Sequence, residues 1–441
     1  MTSRLAWAAA AALALAPAAA RASVFDVEGF GPAGVAEVGA RAARADDGTA
    51  TFYGPGGLAL GSGVRVELAP TLGVSNLAAQ HKTLTLEDPF GVALAFDATI
   101  PFDGVLKDRI RFGFGSYLLP TNALRVLAHP EDQPFYPYFD NRTQRLVVLP
   151  ALAVKIARGL GVGVGVNVLG GVSGPASVTT GASGAPEPRI DVEATTRLSA
   201  VVGVRFDPVD RVHLAATFRQ KFSVPSRVDT SADVGGVPLV VSVNAPENLF
   251  DPDTFVLAAG FDFGRLSVEL DASYAVWSAF DGPFVDVHAE LPGVNIDANL
   301  PGALTRDVVG VRAAADYRVD VGAHRLVLRA GAGFEPTMLR DVQQGTTNLL
   351  DGNKVLLGTG ASLELAHVVG RALRVGAGLN TTVVTSYEQD KRLCTRLPCA
   401  ADTVVGPDPK HPSQGIDNPG YPKLTGGGAF FSGSIGLGVD L

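Results

Sequence analysis

Near its N-terminus the chain contains the segment Arg44-Ala-Asp-Asp-Gly-Thr-Ala-Thr-Phe-Tyr-Gly-Pro-Gly-Gly-Leu58. Two adjacent carboxylates, Asp46 and Asp47, precede the aromatic pair Phe52 and Tyr53. The Gly-Pro-Gly-Gly sequence that follows is poorly suited to the interior of a strand or of a long helix. Regular alternating segments nevertheless begin directly after it and continue to the last residue. We therefore expect this short, turn-rich segment to lie inside the structure that the alternating segments build.

Apolar and polar side chains alternate along most of the remaining chain. In 266–274, one face carries Leu266, Val268, Leu270, Ala272 and Tyr274, and the other carries Ser267, Glu269, Asp271 and Ser273. The same alternation occurs in 212–221 and 325–335. Successive side chains of a strand point to opposite faces, so each segment has one wholly apolar face. A membrane barrel turns such faces to lipid and keeps the charged faces in its lumen.

The number and spacing of these segments predict a closed barrel. We count about fourteen, near 64–77, 89–99, 109–119, 145–157, 160–172, 189–207, 211–222, 253–263, 265–277, 305–318, 324–335, 354–367, 371–387 and 428–441. Tight connections, such as 158–159, alternate with long ones, such as 223–252 and 388–427. Short turns at one end and long loops at the other are typical of outer-membrane barrels. An even number of antiparallel strands also closes the sheet, so no bare edge faces lipid.

Composition narrows the class further. Of the 441 residues, 46% are hydrophobic and only 18% are charged. After the first residues we find no run of roughly 18 apolar residues that would predict a transmembrane helix. The net charge of -8 provides no basic surface for nucleic acid. The apolar content is therefore best explained by strands.

The first 22 residues have the features of a signal peptide. Arg4 supplies the positive charge, 5–17 the apolar core, and Ala20-Arg21-Ala22 a cleavage site. We expect a signal peptide at 1–22, an N-terminal hatch at 23–62 and a transmembrane β-barrel at 63–441. The mature protein would then be exported to the outer membrane of a Gram-negative cell.

The opening segment resembles the hatch of the FadL/TodX family of outer-membrane transporters of hydrophobic compounds. In that family, Ala-Asp-Asp precedes Phe-Tyr-Asn-Pro-Ala-Gly-Leu. The matching residues are Ala45-Asp46-Asp47 and Phe52-Tyr53-Gly54-Pro55-Gly56-Gly57-Leu58. Gly54 stands where the family has Asn, and Gly56 where it has Ala, so a side-chain amide contact is lost. Trp277-Ser278-Ala-Phe280 also resembles a strand end of the family, whereas Leu441 replaces the usual terminal aromatic residue.

The resemblance implies an all-β fold, a 14-stranded antiparallel transmembrane β-barrel with an N-terminal hatch in its lumen. It also implies passive uptake of hydrophobic molecules by loop capture, hatch movement and lateral release. Long-chain fatty acids are the first candidate ligand, and aromatic hydrocarbons are another. The expected partners are outer-membrane lipid, lipopolysaccharide and the barrel-assembly machinery, and the expected state is a monomer. The alternatives are a diffusion porin for polar solutes and a structural or adhesive barrel.

The expected functional residues form two sets. The ligand-binding set is Phe52, Tyr53, Pro55, Phe222, Val224, Leu239, Val241, Leu249 and Phe250. The hatch–lumen set is Asp46, Asp47, Arg219, Arg312, Arg325 and Arg329. We expect the two aspartates to be held by these four inward-facing arginines, because charge-assisted hydrogen bonds are strong where water is scarce. A lumen of fourteen strands is wide enough to leak unless something fills it.

Motifs for catalysis and cofactors are weak. Gly29-Phe-Gly31-Pro-Ala-Gly34 fits a dinucleotide-binding pattern, but no strand precedes it. Glu269 and Asp271 share a strand face and could act as a catalytic pair, although a lumenal salt-bridge network explains them better. We expect no enzyme activity, no cofactor and no metal site. Cys394 and Cys399 lie in the longest loop and should form a disulfide in an exported protein.

Overall fold

The computed structural model describes residues 24–80, 82–84, 86, 88–120, 134–140, 142, 145–173, 176–180, 186–190, 193–234, 237–280, 282, 286–291, 294–298, 303–344, 348–368, 371–392 and 423–441. It describes the backbone alone at 169–173, 176–180, 186–190, 193–196, 224–234, 237–249, 286–291, 294–298, 344, 367–368 and 391–392. The expected signal peptide and the pair Cys394 and Cys399 lie outside the described residues.

The described chain is dominated by strands. In order they are β1 (Val64–Ala79), β2 (Lys82–Thr83), β3 (Phe90–Thr99), β4 (Ile110–Leu118), β5 (Val147–Ala157), β6 (Leu160–Ser173), β7 (Ala176–Thr180), β8 (Pro186–Ile190), β9 (Glu193–Val209), β10 (Val212–Arg219), β11 (Phe222–Val234), β12 (Val237–Asp251), β13 (Thr254–Phe263), β14 (Leu266–Ala275), β15 (Asp286–Leu291), β16 (Val294–Ala298), β17 (Val308–Val321), β18 (His324–Glu335), β19 (Val342–Gln344), β20 (Lys354–Val368), β21 (Arg371–Arg392) and β22 (Lys423–Asp440). Within the described ranges, fourteen of them form one antiparallel barrel: β1, β3, β4, β5, β6, β9, β10, β13, β14, β17, β18, β20, β21 and β22. The last strand, β22, pairs with both β21 and β1, which closes the barrel. The predicted all-β, 14-stranded fold is confirmed, with strand ends shifted by a few residues.

The two faces of the barrel strands differ as the alternation predicts. On β14, Leu270 is 58% exposed, whereas the neighbouring Glu269 is fully buried. Leu257 on β13 and Ile435 on β22 are also about two-thirds exposed, at 65% and 66%. Apolar side chains that face outward around a closed barrel form a lipid-facing surface, and the charged faces turn inward.

Residues 24–62, here called the N-terminal segment, begin with short helices. These are α1 (Val24–Val27), α2 (Gly31–Ala36), α3 (Ala50–Tyr53) and the 3-10 helix η1 (Pro55–Leu60); η2 (Gly104–Leu106) and η3 (Trp277–Ala279) lie further along. Helix α2 contacts β18, β20, β21, β22, β1 and β3, whereas η1 contacts β4, β5, β6 and β9. Nearly all of the segment is buried. The segment therefore contacts inward faces on separate parts of the barrel wall.

Helices of the described chain are short. None of them has the length and apolar character needed to cross a membrane.

A second sheet lies beyond the barrel strands at the long-loop end. Its order is β16-β15-β12-β11-β7-β8. The long connections 223–252 and 278–304, which the sequence predicted to be loops, therefore contain hairpins. Strands β11 and β12 pair from Phe222 opposite Asp251 to Val234 opposite Val237, with a register shift between Val224 and Ser226. The pairing of these hairpins with each other satisfies backbone groups that an irregular loop would expose to water.

Candidate functional site

The Gly-Pro-Gly-Gly part of the N-terminal segment fits against three inward-facing glycines, which we call the first seat: Gly161, Gly163 and Gly203. A Cβ atom at Gly163 would lie 2.2 Å from the Pro55 carbonyl oxygen, and one at Gly203 would lie 2.7 Å from Pro55 Cδ. The approach is reciprocal, because a Cβ at Gly56 would lie 2.8 Å from the Gly203 oxygen. This explains why glycine stands at 56, where the resembling family has Ala. Side chains on either surface would push the two backbones apart.

Helix α2 fits a second glycine-lined surface on the wall, formed by β18, β20, β21 and β22. We call it the second seat, and it consists of Gly331, Gly358, Gly360, Gly376, Gly378 and Gly436. A Cβ at Gly378 would lie 2.2 Å from the Pro32 oxygen, and one at Gly358 would lie 2.4 Å from the Ala36 oxygen. These contacts involve backbone atoms, which cannot rotate away as a side chain can. The two seats hold the segment at two separated places.

The two aspartates of the opening motif have partners other than the expected arginines. Asp46 accepts a hydrogen bond from Arg65 Nη1 at 3.0 Å. Asp47 accepts one from the Thr49 amide at 3.0 Å and lies 3.9 Å from Arg41. Burial would raise the pKa of Asp47, but Arg41, Arg65 and the Thr49 hydroxyl hold it well below its usual range. The expected pairing of these two aspartates with the four inward arginines is corrected. Their cation partners are Arg41 and Arg65, which are closer to them in the sequence.

The four expected arginines are all placed on the wall, but they differ in what they contact. Their carboxylate partners are Asp26 for Arg219 (2.8 Å), Glu37 and Asp316 for Arg329 (3.3 and 3.6 Å), Glu335 for Arg312 (3.5 Å), and Asp320 and Glu364 for Arg325 (both 3.7 Å). Asp26 and Glu37 belong to the N-terminal segment, so Arg219 and Arg329 do hold it. Arg312 lies against the segment at Gly39 but pairs with the wall. Arg325 is about half exposed and pairs only with wall carboxylates among the described residues.

A buried ionic network joins the middle of the segment to the wall. Arg44 contacts Glu269 at 2.8 Å, Asp316 at 2.9 Å and Glu37 at 3.6 Å. Glu269 also accepts a hydrogen bond from the Ala43 amide at 2.7 Å. Both oxygens of Glu269 are therefore occupied in holding the segment. This arrangement matches the expected salt-bridge network rather than a catalytic carboxylate pair.

An aromatic group of side chains, which we call the outer aromatic cluster, lies at the long-loop end. Its members include Tyr136, Tyr138, Phe139, Phe250, Trp277, Phe280 and Phe430. The Phe250 and Phe280 ring centroids are 4.9 Å apart. Much of the cluster comes from Phe135-Tyr-Pro-Tyr-Phe139, which the sequence places in a long loop. The high aromatic content of this stretch is the sequence signal by which the cluster could have been found.

Arg142 connects the outer aromatic cluster to the N-terminal segment. Its guanidinium lies over the rings of Tyr138 at 4.8 Å and Trp277 at 5.5 Å. The same group donates to Asp251 at 2.7 Å and lies 3.5 Å from Asp26 in α1. A buried arginine with this set of partners links loop, wall and segment, because moving any one of them removes a contact from a buried charge.

The structure divides the expected ligand-binding residues between two places. Phe52, Tyr53 and Pro55 are buried in the lumen, where Phe52 packs against Phe25. Phe250 belongs to the outer aromatic cluster. Phe222 is also fully buried, with the Arg145 guanidinium 6.0 Å from its ring. The side chains of Val224, Leu239, Val241 and Leu249 lie outside the described residues. A single continuous capture surface is therefore not seen among the residues described.

Three small cavities lie between the N-terminal segment and the wall. Their volumes are about 30, 10 and 10 Å³, and Asp26 and Arg219 line all three. Each has room for roughly one water molecule. Neither a fatty acid nor an aromatic ring fits in these spaces while the segment is seated.

The described residues offer no group of three or more His, Cys, Asp or Glu side chains placed to hold a metal ion.

The closed antiparallel barrel, with apolar side chains outside and a charged interior, defines a transmembrane β-barrel of the outer-membrane type. No family model matches the sequence, and no curated protein matches it either. Solved structures do share its fold. A Pseudomonas aeruginosa FadL homologue aligns with a TM-score of 0.60 and 14% identity, over 93% of this chain and 97% of that one.

Two further solved structures have the same fold. The Ralstonia pickettii toluene transporter TbuX aligns with a TM-score of 0.51 and 17% identity, over 94% of this chain and 99% of that one. The CymD monoaromatic hydrocarbon channel gives a TM-score of 0.54 and 12% identity, over 93% and 97%. The fold that the hatch resemblance implied is therefore the fold observed.

Proposed function

We propose that this protein is an outer-membrane channel for the passive uptake of hydrophobic molecules, with residues 23–62 as its hatch. The observation that carries the proposal is the seated N-terminal segment, which contacts several parts of the inner wall and is nearly all buried. A diffusion porin for polar solutes needs an open aqueous lumen. In this barrel the lumen instead contains a segment that is held by two glycine seats and by buried ion pairs.

The outer aromatic cluster supports an apolar cargo. It places several large rings together at the long-loop end, above the charged lumen. Ligand sites are mostly apolar with a few polar groups, and the cluster with Arg142 has that composition. The solved structures of similar fold include a FadL homologue, a toluene transporter and a monoaromatic hydrocarbon channel. Long-chain fatty acids are the first candidate ligand, and aromatic hydrocarbons are the second.

The proposed mechanism begins with capture in the outer aromatic cluster. A ligand that separates the rings of Tyr138 and Trp277 displaces Arg142 from between its partners. Asp26 then loses one of its two cations and keeps Arg219. Helix α1 is loosened first, because the two glycine seats hold only the later parts of the segment. The ligand then leaves the lumen sideways into the membrane.

Single-channel conductance in planar bilayers tests the hatch. The wild type should be almost closed, and deletion of 23–62 should give a large, steady conductance. A wild type that conducts like an open porin would favour the polar-solute alternative. Ligand identity needs a separate measurement, in which bound molecules are extracted from purified protein and identified by mass spectrometry. A fatty acid, an aromatic hydrocarbon and a polar solute are distinguishable outcomes.

A further inference from the structure

The barrel wall is irregular where β21 meets β22 at the long-loop end. The pairing changes register between Val384, which lies opposite Gly428, and Tyr387, which lies opposite Gly426. Two residues of β21 thus stand opposite Gly427 alone, which is a β-bulge. Gly427 and Gly428 have φ values of +150° and +130°, a conformation that favours glycine. The wall is therefore built to bend here.

A hydroxyl from the outer loop closes the gap in hydrogen bonding on the inner side. The Gly427 amide donates to the Tyr136 hydroxyl at 2.7 Å. That hydroxyl in turn donates to the Ala78 carbonyl oxygen of β1, also at 2.7 Å. The inner side of the bulge is thus sealed by Tyr136, and the outer side is left as a depression.

The depression is a cleft of about 590 Å³. Its lining consists of Asn76, Ala78, Ser386, Tyr387, Glu388, Thr425, Gly426, Gly427 and Gly428. Asn76 continues the outward face of β1 above the exposed Val74, and Thr425 continues the outward face of β22 above the exposed Phe431. The cleft therefore opens on the outside of the barrel, directly above the lipid-facing surface. Its size falls in the range of small-molecule sites, about 300–1,000 Å³.

The chemistry of the lining indicates which part of a membrane lipid suits the cleft. Its outward side chains offer an amide, two aliphatic hydroxyls and one carboxylate, and no arginine or lysine is among the lining residues described. The Glu388 carboxylate pairs with Lys423 beside the cleft. A phosphate group would find no free cation there. Tyr387 lies opposite Gly426 and packs against the outer aromatic cluster, so its hydroxyl lies beside that of Tyr136 on the inner side of the bulge.

We propose that this cleft binds the hydroxyl-rich sugar headgroup of a glycolipid in the outer leaflet of the membrane. Sugar hydroxyls both donate and accept hydrogen bonds, so they suit a carboxylate, an amide and hydroxyls placed together. The backbone of Gly426, Gly427 and Gly428 supplies a surface free of side chains. The site is separate from the hatch and does not depend on what the channel transports.

Two amphiphiles with the same chain length test the site. Dodecyl maltoside has an uncharged disaccharide headgroup, and dodecylphosphocholine has a zwitterionic phosphate. Native mass spectrometry measures how much of each the intact protein retains when it is purified in a third detergent. The wild type should retain the maltoside in preference. Asn76→Leu and Glu388→Gln should each reduce that retention about fivefold, the effect of one lost hydrogen bond.

Tyr274→Phe is the matched control. Tyr274 is exposed on the outward face near the long-loop end, but it lies on β14, away from the cleft, and its hydroxyl bonds to Asp307. Removal of that hydroxyl should leave maltoside retention unchanged. Altered mobility on heating shows that each variant is folded. Equal retention of both amphiphiles, or an equal effect of Tyr274→Phe and Asn76→Leu, would mean an adventitious additive only and would overturn the proposal.

Discussion

The first glycine seat allows a sharp test of the hatch with one added methyl group. In Gly163→Ala, the new Cβ would lie 2.2 Å from the Pro55 oxygen, whereas ordinary contact begins near 3.4 Å. The segment would have to retreat by about 1.2 Å. Overpacking of this kind costs roughly 1–3 kcal/mol. A cost of about 2 kcal/mol shifts the ratio of released to seated segment about 30-fold.

Gly165→Ala makes the same chemical change two residues further along the same inward face. Its Cβ would lie 3.1 Å from Ala151 Cβ and would not touch the N-terminal segment. Single-channel recording should therefore show about 30-fold more open time for Gly163→Ala than for the wild type, and little change for Gly165→Ala. Heat-dependent gel mobility checks that both barrels are folded. If both variants open the channel equally, or if neither does, the seated segment is not what closes the lumen.

Three further predictions concern charge and covalent linkage. Burial raises the pKa of Glu28 from 4.5 to about 8, so the stability it contributes is complete below pH 4.5 and is lost as the pH rises to 8. The melting temperature of Glu28→Gln should therefore fall less steeply between pH 4 and 9 than that of the wild type. Parallel pH profiles of the two melting temperatures would contradict this. Asp26→Asn removes one carboxylate partner from each of Arg142 and Arg219, so amide hydrogen exchange in 24–30 should accelerate. Asp320→Asn, which breaks exposed pairs, should leave that exchange unchanged. Cys394 and Cys399 should be found joined by peptide mass mapping without reducing agent, and two free thiols would refute the disulfide.

The barrel could be predicted from the sequence because its signals are local. Alternation at period two assigns Leu270 to one face and Glu269 to the other without reference to any distant residue. The same rule places Gly161 and Gly163 on the face opposite Val162 and Val164. Alternating short and long connections then fixed the order in which the strands meet, since short turns join antiparallel neighbours.

Contacts of the N-terminal segment could not be predicted in the same way. Arginines of the wall do hold carboxylates of the segment, as expected. The partners of Arg219 and Arg329, however, are Asp26 and Glu37 rather than Asp46 and Asp47. Alternation at period two determines the face to which a side chain points. It does not determine how far along the barrel axis the partner of that side chain lies. That position depends on where the segment comes to rest.

The glycine seats and the aromatic clusters also differ in what the sequence and the tertiary structure each determine. The sequence alone determined that glycines line parts of the inner wall and that aromatic residues occur both in the segment and in the loops. Only the tertiary structure decided that Pro55 fits against Gly163 and that Phe52 and Phe250 lie in separate clusters. Side-chain direction is set by neighbouring residues, whereas close packing depends on the meeting of surfaces that are distant in the chain.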